Sequence, residues 1–392
     1  MIRLTDSMSS HCYVLHKVNG TAMLDNINKI VLKNLFPRKK LSAYDAISEA
    51  QKIAYAPLIF QAVRTMRDLG ILAQLEKAKD NGVTPGGIAD ALDISLYGVE
   101  TLLESGLSCG VVEMADDGDS FVLSKVGYFL LHDPMTRINM DYNHYICYLG
   151  MYNLDEAIKT QKPAGLRVFG KKWATLYQAL PHLPDTIKNS WYAFDHFYSD
   201  SAYPDVLPII FKNQPGTMLD IGANVGKFSI LAAQYDQNIQ ITMVDLHDQL
   251  QNAIKNVNDE ALDQRIHSLM LDLLDEKSTF PKEMDVYWLS QLLSCFGKDE
   301  IISILMRIVD VMGENSTVYI LETCWDRQQH ESAAYSLINT SLYFTAMASG
   351  NSKMYHSKDL IACCETAGLR LINIFDHLGI CHTLFECKKN NS

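Results

Sequence analysis

The sequence predicts an α/β protein: a mainly helical N-terminal half, then a doubly wound, mostly parallel sheet that ends in an antiparallel hairpin. Three observations carry this prediction. After Pro204 the apolar pattern changes from helical spacing to short runs, "TMLDI", "QITMVDL", "IHSLMLDL", "MDVYWLS" and "STVYILE". Amphipathic segments such as "KFSILAAQY" and "KDEIISILMRIVDVM" separate these runs, as crossovers in a parallel sheet require. Two last runs, "RLINIFD" and "CHTLFEC", are joined only by "HLGI", too short for a parallel crossover.

Length and charge bound what surrounds that sheet. The 392 residues exceed one ordinary domain, and 48% of them are apolar, as in a globular protein. Lys and Arg number 34 against 46 Asp and Glu, a formal charge of −12, the wrong sign for a general nucleic-acid binder. No run of about 18 uncharged apolar residues predicts a membrane span, and "MIRLTDSMSSHCYVLHKVNG" lacks the apolar core of a signal peptide. Nine cysteines without a CxxC pair fit a reduced, cytoplasmic protein. No His or carboxylate cluster has ligand spacing, so no metal is expected.

Four segments follow in order. Residues 1–45 read as an arm with one helix, "AMLDNINKIVLKNLF", ended by Pro37 and the basic cluster Arg38 to Lys40. Residues 46–140 read as three helices, "PLIFQAVRTMRDLGILAQLEKA", "VTPGGIADALDIS" and "LYGVETLLESGLSCG", then a two-stranded wing of "VVEMA" and "FVLSKVGYFLL". A winged helix commonly means DNA binding, but the third helix carries Glu100 and Glu104 with no Lys or Arg, which phosphates would repel. Dimerisation is the better expectation. Residues 141–205 are helical and aromatic, and they read as a substrate-pocket wall that includes His144, Tyr145, Tyr148 and Phe194. Residues 206–392 hold the sheet.

The turn after the first strand, "DIGANVG", spaces Gly222 and Gly226 by three residues, which departs from the G-x-G-x-x-G of dinucleotide sites. Acidic residues at three successive strand ends say more. Asp245 closes the second strand, where a carboxylate can accept from both ribose hydroxyls. Asp272 follows the third, within reach of an adenine amine. Together with Asp220 they suit a cationic ligand better than a pyrophosphate, which prefers amide donors. A sulfonium with an amino-acid tail is such a ligand.

This order of glycine turn, acidic strand ends and terminal hairpin resembles the class I S-adenosylmethionine-dependent methyltransferases, with their Rossmann-like seven-stranded sheet. With the aromatic linker and winged helix, residues 50 to 387 resemble the small-molecule O-methyltransferases that dimerise through their N-terminal domain. The resemblance implies a homodimer with a small aromatic substrate, S-adenosylmethionine as cofactor, and no nucleic-acid or membrane partner. It places Asp220, Gly222, Asn224 and Gly226 at the methionine end, Asp245 and Leu246 at the ribose, and Asp272 and Leu273 at the adenine. Ser199 in "FYSD" would touch the cofactor carboxylate, with Ser290 beside the cofactor. Tyr145, Tyr148, Phe194, Gln291, Ser294, Asn351 and Tyr355 would line the substrate pocket.

Two departures from that family stand out. Ala223 and Asn224 replace two usual glycines, although Asn tolerates positive φ. Ser294 and Cys295, in "VYWLSQLLSCFGKDEI", replace the His-Asp pair whose histidine is the family's general base. A serine is a poor base, and Cys295 has no basic neighbour in sequence to activate it. Either an acidic phenol or aryl acid needs only orientation, which alone supplies about 7 to 11 kcal/mol in favourable cases, or another base serves. His196, His144 and Glu322 are the candidates, and His382 reads as structural. "DHFYSD", "WLSQLLSCF", "TSLYFTAMASGNSKMY" and "GICHTLFEC" are further similar to the branch associated with aryl-polyene and flexirubin-type pigments, implying a phenolic or aryl acyl substrate. The alternative is a methyltransferase fold that has lost catalysis and serves as a binding scaffold.

Overall fold

The computed structural model describes residues 35–37, 39–170 and 173–390. The expected helix "AMLDNINKIVLKNLF" therefore lies almost wholly outside the described residues. The chain separates into two compact units, one of residues 38–146 with 189–194, the other of 147–188 and 195 onward.

In the first unit α1 (Ala43–Asp68) starts at a reciprocal cap: the Ser42 side chain accepts from Asp45 N while the Asp45 carboxylate accepts from Ser42 N. The single helix expected to run on to Ala78 is broken, because Gly70 adopts φ 86° and α2 (Ile71–Ala78) restarts in a new direction. α3 (Pro85–Leu92) is capped by Thr84, and α4 (Leu96–Ser108) leads into the hairpin of β1 (Val112–Met114) and β2 (Phe121–Leu123). The expected long second wing strand stops at Leu123, since the Ser124 side chain accepts from Gly127 N and starts α5 (Lys125–His132). α6 (Pro134–Tyr142) follows, and a π-helical turn spans Asn143–Cys147. Val63, Met66, Leu72, Leu75, Val99 and Leu103 fill this unit's core.

The second unit holds α7 (Leu154–Thr160), α8 (Leu176–Ala179) and the sheet. α9 (Asp185–Ile210) runs through Pro204 and Pro208, so the proline expected to end the linker does not. Burial of Ala202, Tyr203, Val206, Leu207 and Ile210 outweighs the lost backbone bonds. Seven strands lie in the order β5-β4-β3-β6-β7-β9-β8: β3 Thr217–Ile221, β4 Gln240–Asp245, β5 Ile266–Met270, β6 Val286–Ser290, β7 Thr317–Glu322, β8 Leu369–Leu378 and β9 His382–Lys389. The first five are parallel, and β9 is antiparallel to both neighbours, as the short connection predicts.

Side chains alternate across the sheet. Leu219, Ile221, Tyr287, Leu289, Val318 and Ile320 face α12 (Lys298–Val311) and α14 (Ser357–Thr366). Met218, Met243, Trp288, Tyr319 and Leu321 face α9, α10 (Lys227–Tyr235) and α11 (His247–Asp259). α13 (Glu331–Tyr343) runs on into a second π-helical turn. One crossover is not helical: between β5 and β6 the chain is a loop, which the Arg307 guanidinium of α12 holds by donating to the carbonyls of Leu273, Asp275 and Ser278.

Candidate active site

The strand order reverses between β3 and β6, and such a switch point opens a crevice at the carboxyl ends of the strands. Two loops meet there. Gly222 at φ 80° lies so close to the loop after β6 that a Cβ would stand 2.7 Å from Leu292 Cδ1. Asn224 takes the left-handed conformation at φ 51°, and Gly226 at φ 78° lets α10 start tight against Met243 and Ala253 of β4 and α11. The turn that glycines usually make is thus kept by an asparagine.

Asn224 organises the crevice. Its backbone N–H donates to Asp245 Oδ2 (2.8 Å), and its side chain donates to Asp195 Oδ2 (3.0 Å). Asp245 also accepts from Leu246 N through Oδ1 (2.7 Å), so each carboxylate oxygen holds one amide and keeps a lone pair. Burial pushes the Asp245 carboxyl up to about 6, with the two amides opposing. Asp272 lies exposed beyond β5, where Oδ1 accepts from Leu274 N (2.9 Å), and Leu273 beside it is buried.

Asp220 is placed otherwise than expected. It is buried beneath the loop, its Oδ2 accepts from Ser229 Oγ (2.6 Å), and burial pushes it up to about 7. It ties α10 to β3 rather than opening into the crevice. Ser199 on α9 is also buried, donating to the Asp195 carbonyl (3.2 Å), and the Tyr203 hydroxyl faces Ser199 and Ser290.

At the other side of the crevice Gln291 leaves β6 at φ 48°, with Oε1 3.0 Å from His382 Nε2 on β9 and Nε2 3.5 Å from the Asp195 carbonyl. His382 is fully buried, and burial lowers its imidazole to about 3. It is neutral at physiological pH, so Nε2–H donates to Gln291, which agrees with its structural reading. Glu322 at the end of β7 is buried as well, and Oε1 accepts from Leu293 N (2.7 Å) and Ser294 N (3.3 Å). Burial raises it to about 7. This carboxylate, one of the three base candidates, anchors the loop that carries Ser294 and Cys295. The Cys295 thiol, beside Tyr177, is pushed by burial to about 12 and stays protonated.

The remaining candidates scatter. His196 on α9 lies 3.7 Å from Asp200 Oδ1, and Asp200 also pairs with Lys227 at the start of α10. His144 belongs to the first unit, with Nδ1 3.3 Å from Gln61 Nε2, and burial and Arg64 lower its pKa. Tyr145 accepts from Arg64 there, and Phe194 stacks on Tyr142 at 3.9 Å. Tyr148, half-buried, belongs to the second unit. Tyr355 is a core residue whose hydroxyl donates to the Phe296 carbonyl (2.6 Å), and Asn351 bonds Glu300 in a surface groove lined by Gly297, Lys298 and Lys353. These two expectations fail for one reason: the segment after the second π-helical turn packs onto α12.

Asp195 is the residue that sequence reasoning missed. The available signal was its place one helical turn before Ser199, which puts both on one face of α9.

Comparison with known proteins agrees with this architecture. An S-adenosylmethionine-dependent methyltransferase, SibL, superposes with a TM-score of 0.65 at 20% identity, over 88% of this chain and 99% of that one. The chain has the class I methyltransferase fold. Mitomycin 7-O-methyltransferase, MmcR, gives 0.66 at 17% identity over 88% and 98% of the two chains. Residues 48–121 match the Dimerisation2-like domain. In sequence, L-tyrosine C(3)-methyltransferase of Streptomyces lavendulae is 20% identical over 305 residues, 77% of this methyltransferase-fold chain and 81% of that protein. Within the fold, the crevice between β3 and β6 is the candidate site. Among the described residues no helix is long and apolar enough to cross a membrane, and no group of His, Cys, Asp and Glu could hold a metal ion.

Proposed function

We propose that the protein is an S-adenosylmethionine-dependent methyltransferase acting on a small phenolic acceptor, with the cofactor in the crevice between β3 and β6. The observation that carries this reading is the pair of carboxylates held by Asn224. Asp245 keeps lone pairs for two ribose hydroxyls, and Asp195 offers negative charge toward a cationic ligand. Gly222, Asn224 and Gly226 would shape the methionine end, Asp272 and Leu273 the adenine end, and Leu246, Ser199 and Ser290 the walls. The cofactor, when bound, supplies an electrophilic methyl group.

The chemistry of the acceptor end follows from what its residues cannot do. Ser294 is neutral, Cys295 keeps its proton, Glu322 is bound by amides and His382 is neutral and bonded to Gln291. An acceptor that ionises near neutral pH suits such a site, since orientation rather than strong base catalysis then carries the rate. His196 is the remaining imidazole on α9. Oxygen is the acceptor atom we favour; the relative from Streptomyces lavendulae is named as a carbon methyltransferase, and a phenolate's ring carbon is the second possibility. A neocarzinostatin-pathway O-methyltransferase of the same fold (TM-score 0.62, 18% identical) holds 2-hydroxy-5-methyl naphthoic acid, which fits an aromatic hydroxyl acceptor.

The homodimer reading rests on α1, where Tyr44, Ile47, Ile53, Tyr55 and Leu58 are exposed, apolar surface that a second copy would cover. Calorimetric titration with S-adenosylhomocysteine, with NAD as control, tests the cofactor. Micromolar binding of the former alone is expected, followed by a single added methyl group in mass spectra of a phenol panel. Binding of NAD alone would overturn the reading.

A further inference from the structure

Asp195 has no role in the reading above beyond contributing charge, yet its surroundings are specific. It stands on α9 between the two loops of the crevice. Its carboxylate takes the Asn224 side chain on Oδ2, and its carbonyl takes Ser199 Oγ and Gln291 Nε2. Among the described residues no hydrogen bond reaches Oδ1. Among the described residues no lysine or arginine pairs with it: Lys227, the cation at the start of α10, goes to Asp200 instead. Burial raises its pKa, as expected for a deep carboxylate with incomplete compensation, and the charge of Asp200 opposes that of His196.

A carboxylate in that state is completed by a cation with hydrogens to donate. The amino-acid tail of adenosylmethionine or adenosylhomocysteine carries an ammonium, and α9 presents to it the Asp195 carboxylate, whose turn is fixed by the Ser199 hydroxyl donating to the Asp195 carbonyl. Resting on the methyltransferase reading, we propose that Asp195 is the anchor for the cofactor's ammonium, accepting from it through Oδ1 while Oδ2 stays on Asn224. Asn224 then joins the two ends of the cofactor site, its backbone fixing Asp245 for the ribose and its side chain fixing Asp195 for the tail. Gln291, braced by His382, holds the α9 turn at the depth this contact needs. The arrangement also explains why the loop carries asparagine where glycine is usual, because glycine has no side chain to reach Asp195.

The test compares two ligands that share the nucleoside and differ in the tail: S-adenosylhomocysteine and 5′-methylthioadenosine, which lacks the ammonium. Asp195→Asn keeps the shape and an oxygen for Asn224 but removes the charge. Titration calorimetry should show at least a tenfold loss of affinity for S-adenosylhomocysteine and less than a twofold change for 5′-methylthioadenosine. An unchanged S-adenosylhomocysteine affinity would overturn the proposal, and so would equal weakening of both ligands, which would make Asp195 a support for the loop. Failure of the wild-type protein to bind either nucleoside would instead remove the methyltransferase reading, and this inference with it.

Discussion

The two sides of the crevice solve different problems with the same residue type. On the β3 and β4 side, Asp245 and Asp195 each hold one amide of Asn224 and keep acceptor capacity for something else. On the β6 and β7 side, Glu322 spends its Oε1 on the backbone of Leu293 and Ser294. A carboxylate faced by one or two donors keeps acceptor capacity for a ligand, whereas Glu322, with Leu292 N and the Ser294 hydroxyl also facing it, is taken up by a single loop. The lesson is that burial and a raised pKa do not identify a catalytic acid; the count of remaining lone pairs does.

The largest expected effect breaks the first side. Asp245→Ala removes the proposed ribose acceptor and frees Asn224 N, and hydrogen bonds to a charged group are worth about 1.5–3 kcal/mol each. S-adenosylhomocysteine affinity should fall on the order of a hundredfold, as read by calorimetry; a loss under threefold would mean that this side does not hold the cofactor. Next comes Gly222→Ala. The new Cβ would meet Leu292 at 2.7 Å in a left-handed backbone, so roughly 1–3 kcal/mol of stability should be lost. Thermal unfolding reads it, and an unchanged midpoint would show that the two loops are not in contact.

The second side is sharpened by pH. Glu322 and Asp220 both ionise near 7 in the folded chain, above their ordinary values. Stability from such groups is full below about pH 4 and declines as pH rises through about 7, where the unfolded chain has already released its protons. Melting points should therefore fall from pH 5 to 8, and Glu322→Gln, which keeps an acceptor for Leu293 N, should flatten that slope. An identical slope in the variant would show that Glu322 does not titrate there. The smallest effect belongs to Cys295→Ala. With the thiol protonated throughout, methyl transfer should stay within about twofold of wild type, and a hundredfold loss would reveal a nucleophile.

Much of the sheet was legible in advance. Short apolar runs separated by amphipathic helices located all seven strands, and the length of "HLGI" alone required the antiparallel hairpin. Less legible were places where burial overrides a local rule. Pro204 reads as a helix end, but α9 continues because five of its residues after Asp200 are buried. The β5–β6 connection reads as a crossover helix, whereas Arg307 from a distant helix fixes it as a loop.

The candidate site divides the same way. Asp245, Gly222 and Gly226 follow strands at fixed offsets, so strand positions carried them, and the sequence by itself determined a glycine turn and an acidic strand end at one edge of the sheet, while Asp220, read with them, proved to be buried beneath the turn. Side-chain pairings across long stretches of chain have no such offset. Asp195 meets Asn224 across 29 residues, Gln291 meets His382 across 91, and Tyr355 turns into the core to reach Phe296 across 59. Only the tertiary structure decided which carboxylates remain open and which are consumed, because a lone pair is lost or kept by a partner that neither periodicity nor spacing along the chain encodes.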